Sequence, residues 1–254
     1  MRSTVYTLFF LLSGLSSFTA TAQLNVRDSL LSPSLVLASA GFHLPTQDLH
    51  KRFGPFASVG LAYLKKYKSG VLWGIDGQFM FGQSVKEQDM LKQVSTPDSF
   101  VIGGNGTLYD PHFFMRGFAL SGKVGKLFPV IGPNKNSGIY TTLSVGLMQH
   151  KIRIDTERNA NVPPLTKQYL KGYDRLSNGI AFTPAIGFLY LGSKRIINFF
   201  FQLEYCQAFT ENRRSFNYDT GLHDPTLRND GSLTIRAGWV LPLYRKPSDQ
   251  FYYY

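Results

Sequence analysis

The sequence predicts an all-β protein, an eight-stranded antiparallel up-and-down transmembrane β-barrel with long extracellular loops and short periplasmic turns. Three observations carry this expectation. Period-two alternation recurs in eight segments rich in Gly, Phe, Tyr and Val. Several segments approach or exceed the roughly 9–11 residues of a tilted membrane strand. The connections between them alternate in length, short then long, which sorts tight turns to one end of a barrel and loops to the other.

The segments fall at about 34–43, 55–66, 70–82, 113–126, 138–152, 177–191, 195–208 and 232–244. In the third, Val71, Trp73, Ile75, Phe79 and Phe81 share one face, while Gly74, Asp76, Gln78 and Gly82 share the other. The seventh sets Ile197, Phe199, Phe201, Leu203 and Tyr205 against Asn198, Gln202, Glu204 and Cys206. The eighth sets Leu233, Ile235, Ala237, Trp239, Leu241 and Leu243 against Thr234, Arg236 and Gly238. A face that is wholly apolar beside one carrying charge and glycine suits an outside in lipid and a polar inside. A soluble sandwich gives a similar alternation with its apolar face inward, so the connections decide between them. Lys66 to Ser69, Pro129 to Ser137 and Gly192-Ser193-Lys194 make the turns; 83–112, 153–176 and 209–231 are long and polar, and 44–54 is a shorter loop on the same side. An even strand count puts both ends of the barrel segment on the turn side, expected to be periplasmic.

Ahead of the barrel, Arg2, the apolar run Val5 to Leu12 and Ala20-Thr21-Ala22 read as a secretory signal cleaved after Ala22. The expected organisation is a signal peptide at 1–22, a periplasmic segment at 23–33, the barrel at 34–244 and a periplasmic tail at 245–254. The run is short for a membrane-spanning helix, and Gln23 is not the cysteine of a lipoprotein anchor. Cys206 is the sole cysteine, which excludes an intramolecular disulfide. The formal charge of +11 is spread over segment ends rather than gathered in a binding motif. It points to anionic lipid headgroups or an acidic partner, with no nucleic acid expected.

No catalytic set, cofactor site or metal site emerges. The histidines, at 43, 50, 112, 150 and 223, lack zinc spacing. His43, His112 and His150 fall near the expected outer strand ends, where a rim enzyme acting on lipid would place a catalytic histidine; without a serine and an acid to orient them, ordinary loop histidines are the preferred reading. Gly103-Gly104-Asn105-Gly106 lacks the Lys-Ser/Thr of a phosphate loop and reads as a turn. By parity, Asp76, Lys123, Glu204 and Arg236 project into the lumen, where unpaired charge is costly, so a paired polar core is expected there. Tyr63, Trp73 and Tyr190 are candidates for an aromatic girdle at the turn end, and Tyr205 at the loop end.

Arg236, Gly238, Leu241 and Leu243 in the last segment resemble the assembly signal of outer-membrane barrel proteins, polar-x-Gly-x-x-apolar-x-apolar. The resemblance implies recognition by the barrel-insertion machinery, although here Pro242 interrupts the pattern and the chain continues to Tyr254. The mature chain as a whole resembles small outer-membrane barrels of the Bacteroidota type, in which a signal ending in Ala-Gln is also frequent. That resemblance implies location in the bacterial outer membrane, among its lipids. It also implies a non-enzymatic role as a structural or accessory subunit of a secretion or assembly complex, with other outer-membrane or periplasmic proteins as partners. A lipid-modifying enzyme and a small-ligand binder or narrow channel are the alternatives.

Overall fold

The computed structural model describes residues 31–87, 89–156, 162–166, 169–192 and 197–244. The expected signal peptide, most of the segment after it and the tail lie outside the described residues. Eight strands close into one barrel: β1 (Ser34–Thr46), β2 (Phe56–Lys66), β3 (Val71–Gly82), β4 (Pro111–Phe128), β5 (Gly138–Thr156), β6 (Ser177–Leu191), β7 (Asn198–Asn212) and β8 (Arg228–Leu243). Each strand pairs antiparallel with the next, and β8 pairs with β1, so no barrel edge is left open. The predicted fold class and strand count hold.

The strand ends differ from expectation mainly on the loop side. β5 runs four residues past the predicted 152, and β7 and β8 reach 212 and 228. Beyond the apolar belt the pattern changes: on β5 the alternation inverts, with Ile152 and Ile154 buried inside and Lys151 and Arg153 outside, whereas the added ends of β7 and β8 are largely polar on both faces. The backbone ladder continues regardless: Pro111 still faces Thr156 and Arg228 faces Thr210.

Outward positions are apolar along the middle of every strand. Leu61, Ile75, Leu120, Leu147, Ile186 and Trp239 all stand exposed on this surface. In water such a continuous apolar band would be an aggregation surface; in a bilayer it is the solvated face. Among the described residues no helix is long and apolar enough to cross a membrane. Inward positions include glycines where a neighbouring strand crosses closely. A Cβ on Gly179 would overlap the Phe209 carbonyl, and one on Gly74 the Tyr63 carbonyl.

The loops, read from the sequence as long and polar, also carry an apolar core. The first loop contains a short helix, α1 (Gln47–Arg52), and the Gly103–Gly106 stretch closes a two-residue hairpin of Val101–Ile102 with Leu108–Tyr109. Leu49, Phe53, Met90, Leu91, Val101 and Tyr173 pack from three loops into an apolar core over the barrel mouth. This core was not visible in the sequence because its members are single apolar residues dispersed among polar ones.

Candidate functional site

The lumen is the first place to look for chemistry, and it is filled in layers. At the turn end the layer is apolar: Leu35, Leu64, Leu72, Leu127, Leu191 and Phe200 pack across the interior. This departs from the expectation of a lumen polar throughout. Inward Leu and Phe on strands whose outer face is also apolar give no alternation to read.

Above that layer the four predicted charges meet. Asp76 on β3 accepts a forked pair from Arg236 on β8, Nη1 to Oδ2 at 2.6 Å and Nη2 to Oδ1 at 2.8 Å, and a third bond from Lys123 Nζ on β4 at 2.8 Å. Glu204 on β7 lies 3.3 Å from Arg236 Nη1 and 3.8 Å from Lys123 Nζ. Ser39 Oγ accepts a hydrogen bond from Arg236 Nε at 2.9 Å, and Gln202 donates to Glu204 while accepting from the Tyr140 hydroxyl. All four charged side chains are at most 4% exposed, and two cations meet two anions. The network is neutral and multiply bonded, the condition under which buried charge is tolerated.

Next toward the loops, His43 bonds Ser58 Oγ through Nε2 and Thr234 Oγ1 through Nδ1, each at 2.8 Å, and stacks on Phe56 at 4.5 Å between centroids. His150 meets Asp230 at 2.8 Å and abuts the edge of Phe53. A lumen cavity of ≈ 30 Å³ lies among His43, Asp76, Gln78, Ser144, Glu204 and Thr234. That is room for about two water molecules, at roughly 10–15 Å³ each. It is too small for a solute.

For His43 and His150, neither the preferred reading as loop histidines nor the alternative of a catalytic rim holds. Of the three, His43 and His150 face inward and are buried, and His112 alone is exposed at the loop end, 3.8 Å from Asp110. The strands extend past these histidines and the loops cover the mouth, so positions taken for a rim are interior. His112 and Asp110 do line an open cleft of ≈ 910 Å³ between the second loop and the start of β4. No serine is hydrogen-bonded to His112 among the described residues, so a nucleophile with its base is not assembled. Among the described residues no group of three His, Cys, Asp or Glu could hold a metal.

The loop cap is held by a chain of ion pairs that touches all four loops. Arg52, at the end of α1, donates to Glu87 of the second loop at 3.3 Å, to the Arg175 carbonyl of the third at 3.2 Å, and to Ser177 Oγ at 3.1 Å. Arg175 in turn pairs with Glu87 at 3.0 Å and with Asp219 of the fourth loop. Gln93 reaches the Asp219 carbonyl at 2.7 Å, and Arg214 grips Asp174 with two bonds. Burial pulls the Arg52 guanidinium below its ordinary value against the Glu87 carboxylate, whereas the bonds to Asp174 push Arg214 above its own. Sequence reasoning missed this cap; a bias of acid and base pairs to the loop segments was its only trace. Arg175→Ala should remove about 1.5–3 kcal/mol of loop closure and raise the rate of tryptic cleavage at Lys86 and Lys92 about tenfold or more, with the barrel core intact. Unchanged cleavage would mean that the ion pairs do not hold the cap.

The aromatic candidates lie on the outer surface. Tyr63 donates to Ser34 Oγ at 2.9 Å, Trp73 to the Tyr67 hydroxyl at 3.2 Å, and Tyr190 stacks on Phe199 at 4.8 Å, all toward the turn end. Tyr205 sits at the opposite end, accepting from Gln47, the first residue of α1, at 3.0 Å. In the last strand, Leu241 and Leu243 point outward, Arg236 points into the charge network, and Gly238 crosses against the Ala38 carbonyl.

Fold and site together define a closed, eight-stranded barrel with an apolar outside, a filled lumen and a braced loop cap. No family model and no curated protein matches the sequence. Among solved structures, the chain is similar to Ail, the attachment invasion locus protein of Yersinia pestis, solved with the heparin analogue sucrose octasulfate (12% identity, TM-score 0.41, 83% of this chain and 99% of that one). It is also similar to Neisserial surface protein A (13%, 0.41, 82% and 96%) and to the outer membrane protein OprG from Pseudomonas aeruginosa (9%, 0.39, 87% and 100%). At this identity and score the likeness carries no argument about what the chain does.

Proposed function

We propose that the chain is a bacterial outer-membrane barrel without enzymatic activity, acting as a structural or accessory subunit of an outer-membrane protein complex of the secretion or assembly type. The observation that carries this reading is the braced cap over a filled lumen. Leu, Phe and the Asp76–Arg236 network occupy the interior, which speaks against passage of a solute. Of the histidines that a rim enzyme would use, His43 and His150 are buried at separate places in the lumen, and exposed His112 has no serine hydrogen-bonded to it among the described residues. What remains for function is surface: the lipid-facing belt and a loop platform whose order is established before any partner arrives. Preorganised surfaces bind with less ordering cost, so bracing four loops through Arg52 and Arg175 favours a docking role. Outer-membrane placement is supported by the outward band of exposed Leu, Ile, Phe and Trp on a closed barrel.

The test is co-purification of tagged full-length chain from membranes solubilised in several mild detergents, followed by mass spectrometry. A defined membrane or periplasmic protein at constant ratio is expected, and it should be lost when the cap is loosened by Arg175→Ala. A solitary monomer in every mild detergent would sink the proposal.

A further inference from the structure

Where the apolar belt ends toward the loops, the outward face of β4 and β5 turns cationic. On β4 the outward side chains run Leu120, Phe118, Arg116, Phe114; on β5 they run Leu147, Gln149, Lys151, Arg153. The register sets Arg116 directly opposite Lys151, and Phe114 opposite Arg153. Like charges directly opposed across an antiparallel pair are destabilising. The chain nevertheless places them at the edge of the belt.

The nearby acids do not neutralise the pair. Asp155 is committed to Arg153 at 2.7 Å, and Asp110 lies by His112 at 3.8 Å. Asp174 is 4.0 Å from Lys151 Nζ, but it is held by the two bonds from Arg214. Among the described residues no carboxylate pairs with Arg116. Its guanidinium lies over the Phe114 ring at 5.3 Å and donates to the Met115 carbonyl at 2.9 Å. That ring contact keeps the guanidinium beside the belt, with donors left over. Lys151 and Arg153 are about half exposed.

We propose that Arg116, Lys151 and Arg153 form a binding site for the phosphate headgroup of an anionic lipid in the loop-side leaflet, with its chains lying along Phe118, Leu120 and Leu147. An arginine supplies a planar fork and a lysine a mobile point charge, a combination suited to phosphate oxygens. The apolar strip directly below explains why the ligand is a lipid and not a soluble anion. The inference rests on the membrane-spanning reading of the barrel.

The test uses full-length chain folded in a neutral detergent, with native mass spectrometry as the readout. The probes are phosphatidic acid, diacylglycerol with the same chains, and inorganic phosphate. Phosphatidic acid should bind about tenfold or more tightly than diacylglycerol, as expected when charge-assisted bonds to phosphate are the difference. The double variant Arg116→Gln/Lys151→Gln should lose that preference yet keep its fold, since it removes a repulsion. Lys65→Gln/Lys126→Gln, at the turn end, should keep the preference. Equal binding of the two lipids, or an unchanged preference in the double variant, overturns the proposal. Displacement of phosphatidic acid by inorganic phosphate at equal concentration overturns the lipid assignment in favour of a free-phosphate site. Failure of the wild-type chain to insert into vesicles would instead overturn the membrane reading itself.

Discussion

Arg236→Met is expected to destabilise the folded barrel by about 3–5 kcal/mol, the usual cost of removing one partner from a buried ion network. Arg236 is the hub of that network: it forks onto Asp76, lies 3.3 Å from Glu204 and donates to Ser39. Without it, two carboxylates face a single cation, and Lys123 Nζ is 3.8 Å from Glu204. Lys123→Met should cost less, because Asp76 keeps its guanidinium fork. Adding Asp76→Asn to Arg236→Met should recover part of the loss by restoring one cation to one anion. Urea unfolding in detergent or lipid, followed by fluorescence of Trp73 and Trp239, measures all three. A loss below about 1 kcal/mol for Arg236→Met would put the network outside the determinants of stability.

The second large effect is expected at Gly179. Its added Cβ would overlap the Phe209 carbonyl and crowd the Thr210 Cα, both backbone atoms of the adjacent strand. A backbone neighbour cannot rotate aside as a side chain would, so Gly179→Val must part β6 from β7 where Gly179 faces Thr210. A cost above about 4–5 kcal/mol is expected, in the range reserved for a specific structural failure. The heat-shifted band of a folded barrel on a denaturing gel should disappear. Gly122→Ala is the control: it is also a strand glycine, but its Cβ would meet only the Val145 carbonyl at 3.9 Å, and stability should stay within about 0.5 kcal/mol. If Gly179→Val gives the wild-type band, the close crossing of β6 and β7 is not required.

The legible and illegible parts of this molecule divide by how local their cause is. The strands of the belt were readable because alternation is a property of adjacent residues: Val71, Trp73 and Ile75 face out, and Leu72, Gly74 and Asp76 face in. Parity alone sent Asp76, Lys123, Glu204 and Arg236 to the inside, and the register then brought them within bonding reach. The inward leucines at the turn end were masked, since an apolar residue between apolar neighbours leaves no pattern. His43 and His150 were misplaced because their burial depends on strands continuing beyond the periodic region and on loops folding over the mouth.

By itself, then, the sequence determined the barrel's strand count, its antiparallel order, its apolar outside and the sign of the charges within. These follow from the two-residue repeat and from turn spacing, which need no partner to be expressed. Only the tertiary structure decided that an apolar layer joins the charge pairs in filling the lumen, that Arg52, Glu87, Arg175 and Asp219 brace four loops into one cap, and that Arg116 stands opposite Lys151. Those contacts join residues far apart in the chain. Their energy depends on closure of the barrel and on register, and neither is written in any single segment.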